Sequence, residues 1–137
     1  MQNMSSLETS HSEKLVGLRV LIVEDEPLVA ILLQDILDEF GCEIAGPAYS
    51  LEEAVAAART EERINLAILD VNLRGAPVYP VAEVLVERGI RFVFASGYGT
   101  EGVDEKWRDR LSLPKPFTAQ DVARVLVAAL EGPVPKA

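Results

Sequence analysis

From Gly17 onward the chain alternates short, nearly continuous apolar runs with longer stretches whose apolar residues recur at helical spacing. Runs such as VLIV, LAIL and FVFA lack the alternation of a half-exposed strand and fit strands covered by helices on both faces. Strands are predicted at Arg19–Val23, Glu43–Gly46, Leu66–Leu69, Arg91–Ala95 and Leu111–Leu113, the second as an edge strand. Helices are predicted at Pro27–Phe40, Leu51–Thr60, Pro77–Arg88, Glu101–Arg108 and Thr118–Leu130. Pro27 suits a first helical turn, Ser50 followed by Glu53 reads as a capping box, and Gly41 and Gly89 read as left-handed stops. On the first helix Val29, Leu32, Leu33, Ile36, Leu37 and Phe40 share one apolar arc, which leaves Leu28 and Ile31 beside the polar one. The alternation predicts an α/β fold, doubly wound into three layers around a parallel sheet; a closed eightfold barrel needs roughly twice this length.

The 137 residues suit one domain, expected over 17–131, with a flexible polar leader at 1–16 and a short tail at 132–137 that stops the last helix. Met4 reads as a second start. With 22 acidic against 13 basic residues the net charge is −9, which repels phosphate backbones and anionic lipid alike, so neither direct nucleic-acid binding nor membrane insertion is expected. The longest aliphatic run, Leu28–Leu33, falls far short of the roughly 20 residues a spanning helix needs, and the first seventeen residues contain no signal-peptide core. A lone Cys42, read as a small buried hydrophobe, and a lone solvated His11 make no zinc set and suit a reducing, cytoplasmic setting. Trp107 is expected to pack the short fourth helix onto the sheet.

The chemistry lies in the residues that follow the apolar runs. The first run ends in Glu24-Asp25-Glu26, the third in Asp70, the fourth in Ser96, and Lys115 follows the fifth. In a parallel sheet all strand C-termini open on one edge, where ligands bind at the point of reversed chain order. Asp25 and Asp70 would then lie close enough to repel unless a proton or a cation intervenes, and hard oxygen donors suit Mg²⁺ or Mn²⁺. Lys115 would bind a phosphoryl oxygen as a point charge and Ser96 would donate to another. The set describes phosphoryl transfer, with the Asp70 carboxylate as acceptor and an acyl phosphate as product.

The segments VLIVEDEP, LAILDVNLRG, FVFASG and LPKPF, in this order, resemble the receiver domain of two-component response regulators. The resemblance implies a CheY-like, flavodoxin-like (βα)5 sandwich with strand order 2-1-3-4-5. It implies Asp70 as phosphoacceptor, Asp25 as direct metal ligand, Glu24 as ligand through water, and Asn72 as ligand through its backbone carbonyl. Ser96 matches the switch hydroxyl and Lys115 the phosphoryl-binding lysine, with a cis Lys115–Pro116 bond. Phe94-Ala95-Ser96-Gly97-Tyr98, with Pro114-Lys115-Pro116-Phe117, is also similar to the alphaproteobacterial "FAT GUY" subgroup, with Ser in place of its Thr. Many receivers carry an aromatic residue three positions before the lysine; here that position is Ser112. Tyr98 is expected to compensate as a switch residue or a lid.

On this reading the protein is a stand-alone bacterial receiver, a switch rather than a turnover enzyme. It takes a phosphoryl group from a histidine kinase or histidine phosphotransfer protein, with Leu28, Ile31, Pro116, Phe117 and Tyr98 as the expected partner-docking residues. It then acts on an unidentified downstream protein; a homodimer through the short helix, last strand and last helix is a further expectation. The alternatives are a vestigial receiver serving as an interaction module, and a receiver module derived from a hybrid histidine kinase. A haloacid-dehalogenase-type phosphatase would place its nucleophile in an Asp-x-Asp motif after the first strand, and a flavodoxin-like flavoprotein would place a Ser/Thr/Gly-rich phosphate loop there; neither pattern is present.

Overall fold

The computed structural model describes residues 12–98 and 102–135. The elements are β1 (Arg19–Val23), α1 (Pro27–Glu39), β2 (Glu43–Ala48), α2 (Leu51–Thr60), β3 (Leu66–Asp70), β4 (Asn72–Leu73), β5 (Ala76–Pro77), α3 (Tyr79–Arg88), β6 (Arg91–Ser96), a 3-10 turn (Glu105–Trp107), β7 (Ser112–Pro114) and α4 (Ala119–Glu131). Five strands form one parallel sheet in the order β2-β1-β3-β6-β7, the expected doubly wound arrangement. β4 and β5 form a separate antiparallel ribbon that the hydrophobic pattern does not predict.

Strand alternation divides the interior into two cores. Leu21, Val23, Ala67, Leu69, Phe92 and Phe94 face α2, α3 and Trp107. Val20, Ile22, Leu66, Ile68, Val93 and Ala95 face α1 and α4. Burial on both faces explains why the central strands read as unbroken apolar runs. Each fully buried Leu, Ile, Val or Phe side chain contributes roughly 1.5–3 kcal/mol.

Local chemistry sets most boundaries. Ser50 accepts from the Glu53 N–H while the Glu53 carboxylate accepts from the Tyr49 N–H, a capping arrangement opening α2. Thr118 and Asp121 close a full capping box ahead of α4. Gly89, at φ +69°, ends α3 in the left-handed conformation. Cys42 is buried as expected, and its Sγ donates to the Leu15 carbonyl at 3.4 Å.

Several expectations need correction. Leu15, assigned by sequence to the flexible leader, is fully buried beside α1 and α4, so packed chain begins before residue 17. Met4 and His11 lie outside the described residues. Leu32, placed on the core arc of α1, is 47% exposed, because Ala30, Leu33 and Leu37 take the buried stripe. α3 begins at Tyr79 rather than Pro77: Pro80 fills the first turn, which needs no amide donor, and Pro77 pairs with Asn72 in the ribbon. The helix expected at 101–108 is, among the described residues, only the 3-10 turn. Val103 and Trp107 are its buried apolar residues, too few to form a helix face.

Candidate functional site

Sheet register brings the polar residues to one edge. Val23 pairs with Leu69 and Asp70 with Ala95, so Glu24, Asp70 and Ser96 emerge at adjacent strand ends. Ser96 pairs with Pro114, and the Lys115 N–H donates to the Ser96 carbonyl at 3.1 Å, which sets the lysine beside them. Carboxylate oxygens of Glu24, Asp25 and Asp70 lie within 4.8 Å of one another.

The three acids differ in their surroundings. Glu24 is only 1% exposed, and an unpaired buried carboxylate would be strongly destabilising. It accepts from the Lys115 ammonium at 2.9 Å and from the Glu26 N–H at 3.1 Å. Lys115 is 3.5 Å from Asp70 Oδ1, so the ammonium sits closer to Glu24 than to Asp70. Desolvation works against the charged ammonium, but the hydrogen bond to Glu24 and the charges of Asp70, Glu24 and Glu26 hold its pKa above the ordinary lysine range. Burial pushes the Asp70 carboxyl up to about 7, reinforced by the Glu24 charge and only partly offset by Lys115. Asp25 goes the other way. Burial raises it, yet the Arg74 N–H at 2.8 Å, with side-chain hydrogen bonds from Asp70 and Glu24, leaves it below the usual carboxylate range.

Three carboxylates face one ammonium, so the site has an excess of negative charge and a set of hard oxygen donors. That composition fits a divalent cation of the Mg²⁺ class. Asn72 is exposed at the ribbon, its N–H 3.4 Å from Asp70 Oδ1 and its side-chain oxygen accepting from the Gly75 N–H at 2.7 Å.

Ser96 is 6% exposed and its hydroxyl accepts from the Tyr98 N–H at 3.0 Å; among the described residues it donates to none of the three acids. A Cβ at Gly102 would fall 2.2 Å from Ser96 Oγ, so only glycine fits beside this hydroxyl position. The Tyr98 side chain is 82% exposed and is no lid in this conformation. Lys115–Pro116 is cis, as expected. Ser112 lies in register with Phe94, whose ring packs edge-on against Tyr79 and Trp107. Trp107 therefore fastens the connection to the sheet as expected, although within a 3-10 turn.

Of the expected docking residues, Leu28 (82%) and Ile31 (51%) are exposed, as is Pro116. Phe117 is not: it is 9% exposed and packs into the α1/α4 core, because the chain turns inward after Pro116. Sequence reasoning missed Arg74, Gly75 and Gly102. The first two sit in a turn that Asn72 and Gly75 signal, while Gly102 matters through a neighbour distant along the chain.

Comparisons with known proteins agree with this geometry. The sequence model of the response regulator receiver domain matches residues 20–107. Transcriptional regulatory protein PdtaR of Mycobacterium tuberculosis is 31% identical over 139 residues, covering 92% of this chain and 67% of that protein. Phyllosphere-induced regulator PhyR of Methylorubrum extorquens is 28% identical, covering 81% of this chain and 43% of that protein. The solution structure of SdrG from Sphingomonas melonis Fr1 is 46% identical with a TM-score of 0.74, covering 83% of this chain and 96% of that one. A BeF3-activated conformation of SdrG superposes with a TM-score of 0.71. Among the described residues no helix is long and apolar enough to cross a membrane. The chain belongs to the response regulator receiver domain family, whose members are signalling switches of two-component systems.

Proposed function

We propose that the protein is a Mg²⁺-dependent phosphoacceptor that takes a phosphoryl group onto Asp70 and signals by phosphorylation-controlled protein–protein interaction. The observation that carries this reading is the convergence of Glu24, Asp25 and Asp70 within 4.8 Å, with the Lys115 ammonium 3.5 Å from Asp70. An Asp70 oxygen attacks phosphorus, a P–O bond forms, and the bond to the donor breaks; from a phosphohistidine donor the electron pair of the broken P–N bond stays on the imidazole, which takes a proton. Asp25 and Asp70, with Glu24 through water and the Asn72 carbonyl, would hold the cation. When bound, the cation neutralises the charge of the carboxylates and of the phosphoryl oxygens. Lys115 pairs with a phosphoryl oxygen and Ser96 turns from the Tyr98 N–H to donate to another. The relative solved in a BeF3-activated conformation supports this reading.

The donor is a histidine kinase or histidine phosphotransfer protein. Leu28, Ile31 and Leu32 expose an apolar strip on α1, near the acidic edge, against which a helix bearing phosphohistidine would dock. Output passes to a protein partner.

The test is intact-protein mass spectrometry after incubation with Mg²⁺ and acetyl phosphate. The wild type gains about 80 Da, the mass of one phosphoryl group, only with Mg²⁺ present, and Asp70→Asn gains nothing. An adduct that persists in Asp70→Asn would overturn the assignment.

A further inference from the structure

We propose that the β4–β5 ribbon is a positioning element for the cation site: its backbone engages Asp25 so that one carboxylate oxygen is left for the cation. This rests on the reading of Glu24, Asp25 and Asp70 as a divalent-cation site.

The ribbon pairs Asn72 with Pro77 and Leu73 with Ala76, leaving Arg74 and Gly75 as its two turn residues. Both have positive φ, +51° for Arg74 and +89° for Gly75, as a two-residue turn matched to antiparallel strands requires. Glycine accepts such a backbone freely, whereas arginine does so against its own preference. Three contacts hold the turn. Leu73 is buried at 1% exposure, the Asn72 side-chain oxygen accepts from the Gly75 N–H at 2.7 Å, and the Arg74 N–H donates to Asp25 Oδ2 at 2.8 Å.

The last contact joins two parts of the chain 49 positions apart, and it is made to one oxygen of Asp25. The same ribbon reaches Asp70, whose Oδ1 lies 3.4 Å from the Asn72 N–H. Two carboxylates, one in the loop after β1 and one ending β3, thus lie against backbone N–H groups of one short ribbon. Affinity of an oxygen-donor site for a cation depends on how rigidly its carboxylates are held, and hydrogen bonds behind the ligands supply that rigidity. The Arg74 side chain is exposed, so the role belongs to its N–H and to the turn that aims it.

Two substitutions separate this backbone role from a side-chain role. At Gly75 a Cβ meets nothing within 4 Å, so Gly75→Ala disturbs the turn through its backbone angle and not through a clash. Arg74→Gly removes the guanidinium but keeps the N–H and suits the positive φ. Mg²⁺ titration calorimetry on the full chain is expected to show Gly75→Ala binding roughly three- to tenfold more weakly than wild type, at or below the usual range for losing support behind a ligand. Arg74→Gly should stay within about twofold of wild type. A metal-free readout accompanies it: amide hydrogen exchange at Arg74 should accelerate by at least roughly tenfold in Asp25→Ala, with β3 amides unchanged.

Wild-type affinity in Gly75→Ala, equal weakening in Arg74→Gly, or unchanged Arg74 exchange in Asp25→Ala would each overturn the ribbon's role while leaving the cation site standing. A wild-type chain with no Mg²⁺ isotherm overturns the cation reading and this one together.

Discussion

The two sides of the strand-end crevice are held by different means. On the β1/β3 side Glu24 is tied to Lys115 and the Glu26 N–H, Asp25 to the Arg74 N–H, and Asp70 lies close to both neighbouring acids. On the β6/β7 side the Ser96 hydroxyl accepts from an N–H two residues along its own chain, and the 3-10 turn is held mainly by aromatic packing. The first side stores charge repulsion in a fixed frame. The second holds a neutral hydroxyl with one local bond, which a side-chain rotation breaks. A switch needs both: fixed charges that a phosphoryl group can alter, and a group weakly enough held to respond.

The largest effect should come from removing what the two sides share. Phe94 is fully buried, pairs with Leu69 just before Asp70, and packs against Tyr79, Phe92 and Trp107. Phe94→Ala should cost about 3–5 kcal/mol, lost transfer energy plus a cavity, measured by urea unfolding. A loss below about 1 kcal/mol would mean that the aromatic cluster collapses onto the gap, and that the β6/β7 side is not anchored through it.

How far the sequence revealed these two sides differs in the same way. The central strands and the residues ending them were legible because burial on both faces leaves an unmistakable apolar run, and the charged residue after it marks the edge. Glu24 was legible as an acid but not as the most buried of the three, since burial depends on Lys115, 91 positions away. The ribbon was missed because two-residue strands have no period to detect, and Pro77 and Pro80 both suit a helix start. Gly102 gave no local sign at all: its constraint is the approach of Ser96 Oγ, a contact set by tertiary packing.

A smaller effect tests the cost of ionising Asp70 in this crevice. Burial and the Glu24 charge push the folded Asp70 carboxyl up to about 7, above its ordinary 3.8. The fold therefore binds this proton more tightly than the unfolded chain, and the benefit is complete below about pH 4 and lost as pH rises through about 7. Asp70→Asn removes the ionisation, so in EDTA it should be more stable than wild type at pH 8, by something of the order of 2 kcal/mol, with the gain fading toward pH 4. Ser96→Ala, across the crevice, should show no such pH dependence. A pH-independent gain in Asp70→Asn would mean that burial and the Glu24 charge do not raise the folded carboxyl.

The smallest effect probes the hydroxyl side through Gly102. An alanine there would place a methyl 2.2 Å from Ser96 Oγ, and rotating the hydroxyl away breaks its bond to the Tyr98 N–H. Losing one neutral hydrogen bond costs about 0.5–1.5 kcal/mol, which is the stability change expected for Gly102→Ala. The cause is isolated by a double-mutant cycle with Ser96→Ala, which removes the oxygen. What then remains nearest the new methyl is Tyr98 Cβ at 3.1 Å and the Cβ of residue 96 at 3.4 Å, contacts that small shifts relieve. The two substitutions should therefore be non-additive, with Gly102→Ala close to neutral once the hydroxyl is gone. Additive losses would place the cost of the methyl against Tyr98 instead. Ser96 would then be free to turn toward Asp70 whatever occupies position 102, held among the described residues by the local bond from Tyr98.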